Sequence, residues 1–574
     1  MCSRRAFRQP DLCGEGTPDL TLTVSAVARP FRCARYSITS IGVHTLDGVR
    51  RTSVASGWSL VVLGIASVLA AVPYRSFDLD RFFVPKELGL HVGAALALVL
   101  VVAGGAAVHR TRLDRVFTVF LALSALSALL APNGWLAVRA LAISVSAAFT
   151  WWASRTAAAH GARDLLIRGL ALVTVVGAAT ALAQAYGASS DLASMSRAPG
   201  GTFGNRNFMA HLAAAGVPLL GYLALTARRL RGALLAATGL GINAAALVLS
   251  RTRAAWLALA CCAAVVVLAW LWRRGTLWRD ASARRGLIVI IAGLVAGGAS
   301  AIAIPNTLDW RSDNPYLESA KGLVNYREGS GRGRLRQYGN SVRLAVAHPA
   351  FGAGTGNWAV EYPSIARPND PSISQETGMT ANPWPSSDWM AMLSERGIPA
   401  LVAWAMLLGG LVFAGLIGWS RLDVALDERL RAITATAVVV VVAVEGAFDA
   451  VLLLATPTLV FWGAMGVLLP PPAAAAAPAP MGRTHRALLS VMILATGLAA
   501  AEYSALKIAS MAAYDAGQLA RAVSLDPGSF RARLRYAQLM MSRSNRTRGC
   551  VEAKAALSLF PRSPDARRLA SGCR

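Results

Sequence analysis

Two arginines one residue apart, Arg251 and Arg253 in "LSRTRAAW", stand between two apolar runs that are each long enough to cross a membrane. An arginine at the centre of a bilayer costs roughly 2.5–3.5 kcal/mol, so the pair belongs at a turn on a membrane face. Guanidinium groups present planar forks of N–H donors that match phosphate oxygens. The chemistry open to them is to hold an anion at the surface, a lipid phosphate or diphosphate. The competing reading is two side chains that snorkel to an interface. Metal chemistry has no comparable signal. The seven cysteines include no Cys-x-x-Cys pair and no Cys/His cluster, and Cys261 and Cys262 lie inside an apolar run. No metal and no cofactor is expected.

The elements that must position the arginines follow from composition. The chain has 574 residues, 55% hydrophobic and 15% charged, against about 25% charged in a soluble chain. Thirteen apolar runs lie at about 57–73, 89–108, 115–131, 135–153, 165–186, 206–226, 232–249, 254–272, 286–305, 397–419, 431–448, 451–469 and 487–506. Runs of this length span as helices, because every backbone polar group must be satisfied within the segment. The expected fold is all-α: a polytopic bundle of about thirteen spans, plus a small soluble helical-repeat domain at the C-terminus.

Net charge is +27. The basic residues are scattered between runs rather than gathered in one stripe, which argues against nucleic acid and for orientation charge. The even-numbered gaps are basic, with Arg110, Arg112, Arg115, Arg155, Arg163, Arg168, Arg228, Arg229, Arg231, Arg273, Arg274, Arg279, Arg421, Arg483 and Arg486. Alternate gaps read as poorer in basic residues: "APNG" at 131–134 has no charge, and 449–450 has only Asp449. The expected topology has the N-terminus in the cytoplasm, with the long loop 306–396 and the C-terminus outside the cytoplasmic membrane. Arg251 and Arg253 are the exception among the short outer turns.

Three segments follow. Residues 1–56 are polar and Arg-rich, carry no signal-peptide apolar core, and are expected to be disordered and cytoplasmic. Residues 57–506 form the membrane domain, with "PPPAAAAAPAP" (470–480) a linker before its last span. In 507–574, "AVSLDPGSFRARLRYAQLM" and "ALSLFPRSPDARRLA" repeat at a spacing of 34 residues, Pro527 to Pro561, the period of tetratricopeptide repeats. So short an array is expected to pack on the membrane domain or on envelope-assembly partners. "RGCVEAKAALSLF" and "DARRLASGC" read as an antiparallel helix pair, whose adjoining ends bring Cys550 and Cys573 within disulfide reach. Two unpaired thiols are the alternative.

Five stretches, taken in order, carry a resemblance. They are "GGTFGNRNFMAHLAAAGVPLL" (200–220), "LSRTRAAWLALA" (249–260), "AVAHPAFGAGTGNWAVEYP" (345–363), "SSDWMAMLSERGIPALV" (386–402) and "EGAFDAVLLLATPTLVFWGAMG" (445–466). Over about 57–470 this order resembles the O-antigen ligase and polymerase superfamily. The resemblance implies an integral membrane glycosyltransferase of cell-surface polysaccharide synthesis. Its donor is a glycan on undecaprenyl diphosphate, its acceptor a glycan or lipid hydroxyl, and its surroundings membrane lipid. It places Arg251 and Arg253 in a Ser-Arg-x-Arg motif on the diphosphate. Gly204, Asn205 and Asn207, with Arg206 where the family commonly has proline, match a Gly-Asn-x-Asn turn. Gly352, Gly354, Gly356 and Asn357 match a glycine turn that would admit substrate, and Arg332, Arg334 and Arg336 add positive charge. One departure stands out: the family's histidine before the tenth span is Ser386 here. The base is then Asp388, His348 or His211, or the chain is a non-catalytic assembly or transport component. Glu445, within its span, is the one mild sign of transport.

Overall fold

The computed structural model describes residues 39–107, 111–194, 197–272, 280–310, 312, 314–322, 329–367, 369–374, 376–469 and 481–573. The expected disorder of residues 1–38, the basic residues Arg110, Arg273, Arg274 and Arg279, and the 470–480 linker lie outside the described residues. The chain divides into two compact units, Met1–Thr45 and Leu46–Arg574. Of the first, the described part is the opening of one helix. The second holds everything that follows.

The described residues are helical throughout, with one isolated bridge, Ile373 to Thr380. In order the helices are α1 (Thr39–Leu69), α2 (Asp80–Ala103), α3 (Arg112–Leu129), α4 (Gly134–Ala157), α5 (Arg163–Ala185), α6 (Arg206–Thr226), α7 (Leu230–Ser250), α8 (Arg253–Trp272), α9 (Ala281–Ala303), α10 (Pro315–Lys321), α11 (Gly329–Ala347), α12 (Trp358–Glu361), α13 (Asp388–Ser420), α14 (Leu426–Phe448), α15 (Ala455–Leu468), α16 (Arg483–Asp515), α17 (Leu519–Leu525), α18 (Phe530–Ser542), α19 (Arg546–Leu559) and α20 (Pro564–Ser571). Helix α1 begins at Thr39, well before the expected edge at residue 57: the polar residues 47–56 continue its hydrogen-bonded ladder rather than a disordered tail.

Ten stretches among the described residues are long and apolar enough to cross a membrane. One of them, Gly134–Ala185, is α4 and α5 joined through His160 and Gly161, whose φ of 101° breaks the helical path. The expected count of thirteen does not follow from length and composition. Helix α3 carries Arg112, Asp114 and Arg115 in its first turn, and α15 has only 14 residues.

Loops segregate to two ends of the bundle. At one end Arg81 donates to Asp191 O (2.9 Å), Asn133 N to Asn357 Oδ1 (2.8 Å), Thr307 N to Ala185 O (2.9 Å) and Tyr338 Oη to Ala447 O (2.8 Å). At the other, Arg155 pairs with Asp114 at 2.9 Å, Arg285 donates to Ala227 O (2.7 Å) and Tyr222 to Asp427 (2.8 Å). This second end holds the basic short loops. Between the ends the core centres on α15, where Trp462 meets Phe117 at 4.5 Å and Trp151 and Trp404 each at 6.1 Å between ring centroids, within the range of favourable aromatic pairs.

Helices α7 and α9 meet through small residues. A Cβ on Gly297 would stand 2.1 Å from Gly241 O, and one on Gly293 2.7 Å from Ala237 O, the close backbone approach that small residues four apart permit in membranes. Gly297→Val should therefore separate the pair at a cost of about 1–3 kcal/mol. A lowered melting temperature of the detergent-purified variant checks this.

The long loop is not irregular: it contains α10, α11 and α12. The C-terminal helices dock on the membrane domain. Asn133 donates to Leu559 O (3.1 Å), Tyr503 to Trp135 O (2.8 Å), and Phe77 meets Tyr514 with centroids 5.0 Å apart. Helices α18 and α19 pack as an antiparallel pair held by Arg533–Glu552 at 2.7 Å; nothing beyond the spacing of 34 marks them as tetratricopeptide repeats. Cys550 and Cys573 are joined, with Cα atoms 5.5 Å apart and a sequence separation of 23. In the chain-entropy account a loop of that length adds about 3 kcal/mol. In denatured, unreduced protein, thiol labelling is expected at Cys261 and Cys262, and at Cys550 and Cys573 only after reductant.

Candidate active site

The site is built at the first end of the bundle, where α6 and α8 begin. Asn205 caps α6 by accepting from Asn207 N at 3.0 Å. The preceding glycine turn is tied down by Gln184, whose Oε1 accepts from Gly200 N (2.9 Å) and Gly201 N (2.8 Å). A Cβ on Gly204, at φ 66°, would strike the Phe82 ring at 2.2 Å. Helix α7 ends at Arg251, which takes φ 54°, a left-handed conformation unfavourable for a side chain with a Cβ. That turn throws Arg251 and Arg253 to the same side.

Together these segments enclose a cavity of about 290 Å³. Five arginines line it: Arg197, Arg206, Arg251, Arg253 and Arg334. Asn205, Asn207 and Thr252 complete its polar wall. Arg251 donates to Ser319 Oγ at 2.8 Å, and the Trp310 ring lies 4.7 Å from its guanidinium and 5.3 Å from that of Arg206. Arg206 and Arg251 also line a neighbouring cavity of about 510 Å³, with Asp309 and Glu318. Two carboxylates stand at ion-pair distance from these arginines: Glu318, 3.8 Å from Arg251, and Asp449, 3.6 Å from Arg334. Like charges crowded this way repel. They are compatible with one cavity when an anion occupies it, and two helix N-termini at the same place add to that field.

Behind the arginines lies a buried acid–histidine chain. Asp449 Oδ2 accepts from Asn207 Nδ2 at 3.1 Å and lies 3.6 Å from His211 Nε2. His211 Nδ1 is 3.2 Å from Glu445 Oε1, at ion-pair distance without an aligned hydrogen bond. His211 and Glu445 are fully buried. Thr252 Oγ1 donates to Asn207 Oδ1 at 3.2 Å, so the chain reaches the arginine turn itself. Burial raises the Asp449 carboxyl, but the neighbouring His211 and the Arg334 charge outweigh it and hold it below the usual carboxylate range.

The structure brings together Arg251, Arg253, Asn205, Arg206, Asn207 and Arg334, with His211 behind them. Arg332, Arg336, His348, Asp388, Gly354 and Gly356 do not line this cavity. Arg336 sits two residues from Arg334 on α11, about 200° round the helix, and is exposed. Arg332 is exposed likewise. His348 is exposed beyond the end of α11, about 20 Å along the helix from Arg334. Asp388 is buried, and both its oxygens are taken: Oδ1 by Val451 N at 3.0 Å and Oδ2 by Leu452 N at 2.9 Å. It staples α13 to the turn that carries Asp449, within electrostatic reach of His211 and Asp449. A Cβ on Gly354 would meet Ala131 Cα at 2.6 Å and one on Gly356 Leu136 O at 2.7 Å, while Gly356 also lines a cavity with Glu395 and Arg396. They allow the loop to lock against the α3–α4 turn. Ser386 is occupied through its backbone, its N–H donating to Gln337 Oε1 at 2.7 Å.

Sequence reasoning missed Arg197 and the role of Asp449. The available signal was the pair Glu445 and Asp449, spaced i, i+4 at the end of an apolar span, facing a histidine one turn into another.

The fold and site define a polytopic helical membrane protein with an arginine-lined anion cavity at one end. Residues 238–405 match the O-antigen ligase family model. Over that stretch the chain is similar to ligases of a cell-surface polysaccharide, and the stretch contains Arg251, Arg253 and Arg334. Asn207, His211, Glu445 and Asp449 lie outside it. No curated protein matches the chain.

Proposed function

We propose that the protein transfers a glycan from a polyprenyl diphosphate onto a sugar or lipid hydroxyl at the outer face of the cytoplasmic membrane, as an O-antigen ligase or polymerase does. The observation that carries this reading is the convergence of five arginines on one cavity. The basic short loops at the opposite end supply its orientation, since such loops stay in the cytoplasm. Thirteen crossings fit the courses of the two short helices. Helix α3 runs from Asp114, beside Arg155, to Ser127, which donates to Glu395 O (2.8 Å). Helix α15 runs from Thr456, 2.6 Å from Ser67, to Gly466 against Ser154.

In the reaction, the acceptor oxygen bonds to the anomeric carbon as the bond from that carbon to the diphosphate oxygen breaks. The electron pair leaves with the diphosphate, whose growing charge Arg251, Arg253, Arg206 and Arg334 stabilise. The acceptor proton passes to Asp449, the most accessible member of the acid–histidine chain, in general-base catalysis. His211 and Glu445 hold Asp449 from behind. The neighbouring cavity over Trp310 receives the first sugar of the donor. Polyprenyl diphosphate release from a lipid-linked glycan, measured with the purified protein in nanodiscs plus a glycan acceptor, tests the proposal. Release should require both protein and acceptor. Movement of intact donor across the bilayer without release would instead identify a transport component.

A further inference from the structure

A large cleft lies at the opposite end of the bundle from the arginine cavity. It measures about 1050 Å³ and opens among α2, α3, α4 and α16. Its deep wall is apolar, with Leu98, Val102, Phe149 and Ile493, and its rim carries Arg112, Arg115, Arg155 and Arg486. One carboxylate faces them, Asp114, and it is already satisfied. It accepts from Trp151 Nε1 (2.8 Å), Trp152 Nε1 (3.0 Å) and Arg155 Nη2 (2.9 Å). Arg112, Arg115 and Arg486 have no carboxylate partner among the described residues. Arg155 is only 7% exposed, and its Nε, like that of Arg486, is buried with no acceptor. The Arg486 guanidinium reaches the rim over Gly105, where a Cβ would stand 2.2 Å from Nη1.

We infer that this cleft is a binding site for an anionic phospholipid of the facing leaflet. Its headgroup phosphate lies among Arg112, Arg115, Arg155 and Arg486, and its acyl chains lie along the apolar wall. Buried N–H donors without acceptors call for an anion that brings oxygen atoms. The volume exceeds what a lone inorganic ion fills, and the apolar floor suits hydrocarbon. Each basic side chain near a membrane surface strengthens such binding about fivefold. The site is independent of glycan transfer.

Native mass spectrometry and thermal unfolding of the detergent-purified full chain test this, with phosphatidylglycerol, phosphatidylcholine and inorganic phosphate as separate additions. Phosphatidylglycerol should be retained and should raise the melting temperature, and the other two should not. Arg112→Gln with Arg115→Gln, both exposed and therefore tolerant of change, should weaken phosphatidylglycerol about 25-fold; adding Arg486→Gln should bring the loss to about 100-fold. Equal retention of phosphatidylcholine, the same stabilisation by inorganic phosphate, or undiminished phosphatidylglycerol affinity in the double variant would each overturn the assignment.

Discussion

Arg251→Lys is expected to lower glycan transfer by about 10²–10³-fold, the loss typical when one preorganised donor to a developing oxyanion is removed. Arg251 lines both the arginine cavity and the cavity over Trp310, so it stands where a diphosphate would join a sugar. Lysine keeps the charge and loses the planar fork and its stacking on Trp310. It also keeps the left-handed backbone, which any L-residue finds equally costly, so the comparison isolates the guanidinium. Arg251→Gly makes the complementary case. Glycine takes φ 54° without strain, so the variant should fold at least as well as the parent while transfer is lost. Polyprenyl diphosphate release, read beside the melting temperature of each variant, checks both. Full transfer by the lysine variant would reduce Arg251 to an interface anchor.

Asp449→Asn should cost about 10²–10⁴-fold in turnover, the span of a general base, with donor binding little changed because the arginines remain. Surrounding cations hold its pKa low, so the carboxylate is the form present above the usual carboxylate value near ~3.9. The sign follows: stability and basicity contributed by Asp449 are complete above that value and fall away only as pH drops through the depressed folded value. Transfer by the parent should then show no acid limb from this group between about pH 5 and 8. His211→Ala should lower kcat with little effect on KM, since His211 touches Asp449 and not the cavity. An Asp449→Asn variant with unchanged kcat would move the base elsewhere.

How much of this was legible in the sequence depends on whether the signal is local. Apolar runs near 20 residues write helices directly, because a backbone in hydrocarbon has no other partner for its N–H and C=O groups. The basic gaps marked the loops that the structure collects at one end. Arg251 and Arg253 were visible because they are neighbours that interrupt apolar sequence. The Cys550–Cys573 bridge was visible because both cysteines sit at adjoining ends of one predicted helix pair. Each of these inferences uses residues close in the chain or a periodicity that one helix carries.

Other features needed the packed bundle. Arg197, Arg206 and Arg334 join Arg251 and Arg253 only because α6, α8 and α11 meet at one end, across well over 100 residues of chain. In the sequence His211 read singly as a candidate base and Glu445 as a mild sign of transport; the contact between α6 and α14 makes them a chain behind Asp449. Asp388 had the residue type of a base; only the fold shows that its oxygens accept from the backbone N–H groups of residues 451 and 452 and so join α13 to the turn carrying Asp449. Gly354 and Gly356 had the freedom to admit a substrate; the fold sets both against the segment joining α3 and α4, and Gly356 also lines a cavity with Glu395 and Arg396. A sequence states which donors and acceptors exist and which helix face or loop carries them. Which of them remain available to a ligand is decided by long-range packing, because a group already bonded across the bundle has nothing left to offer.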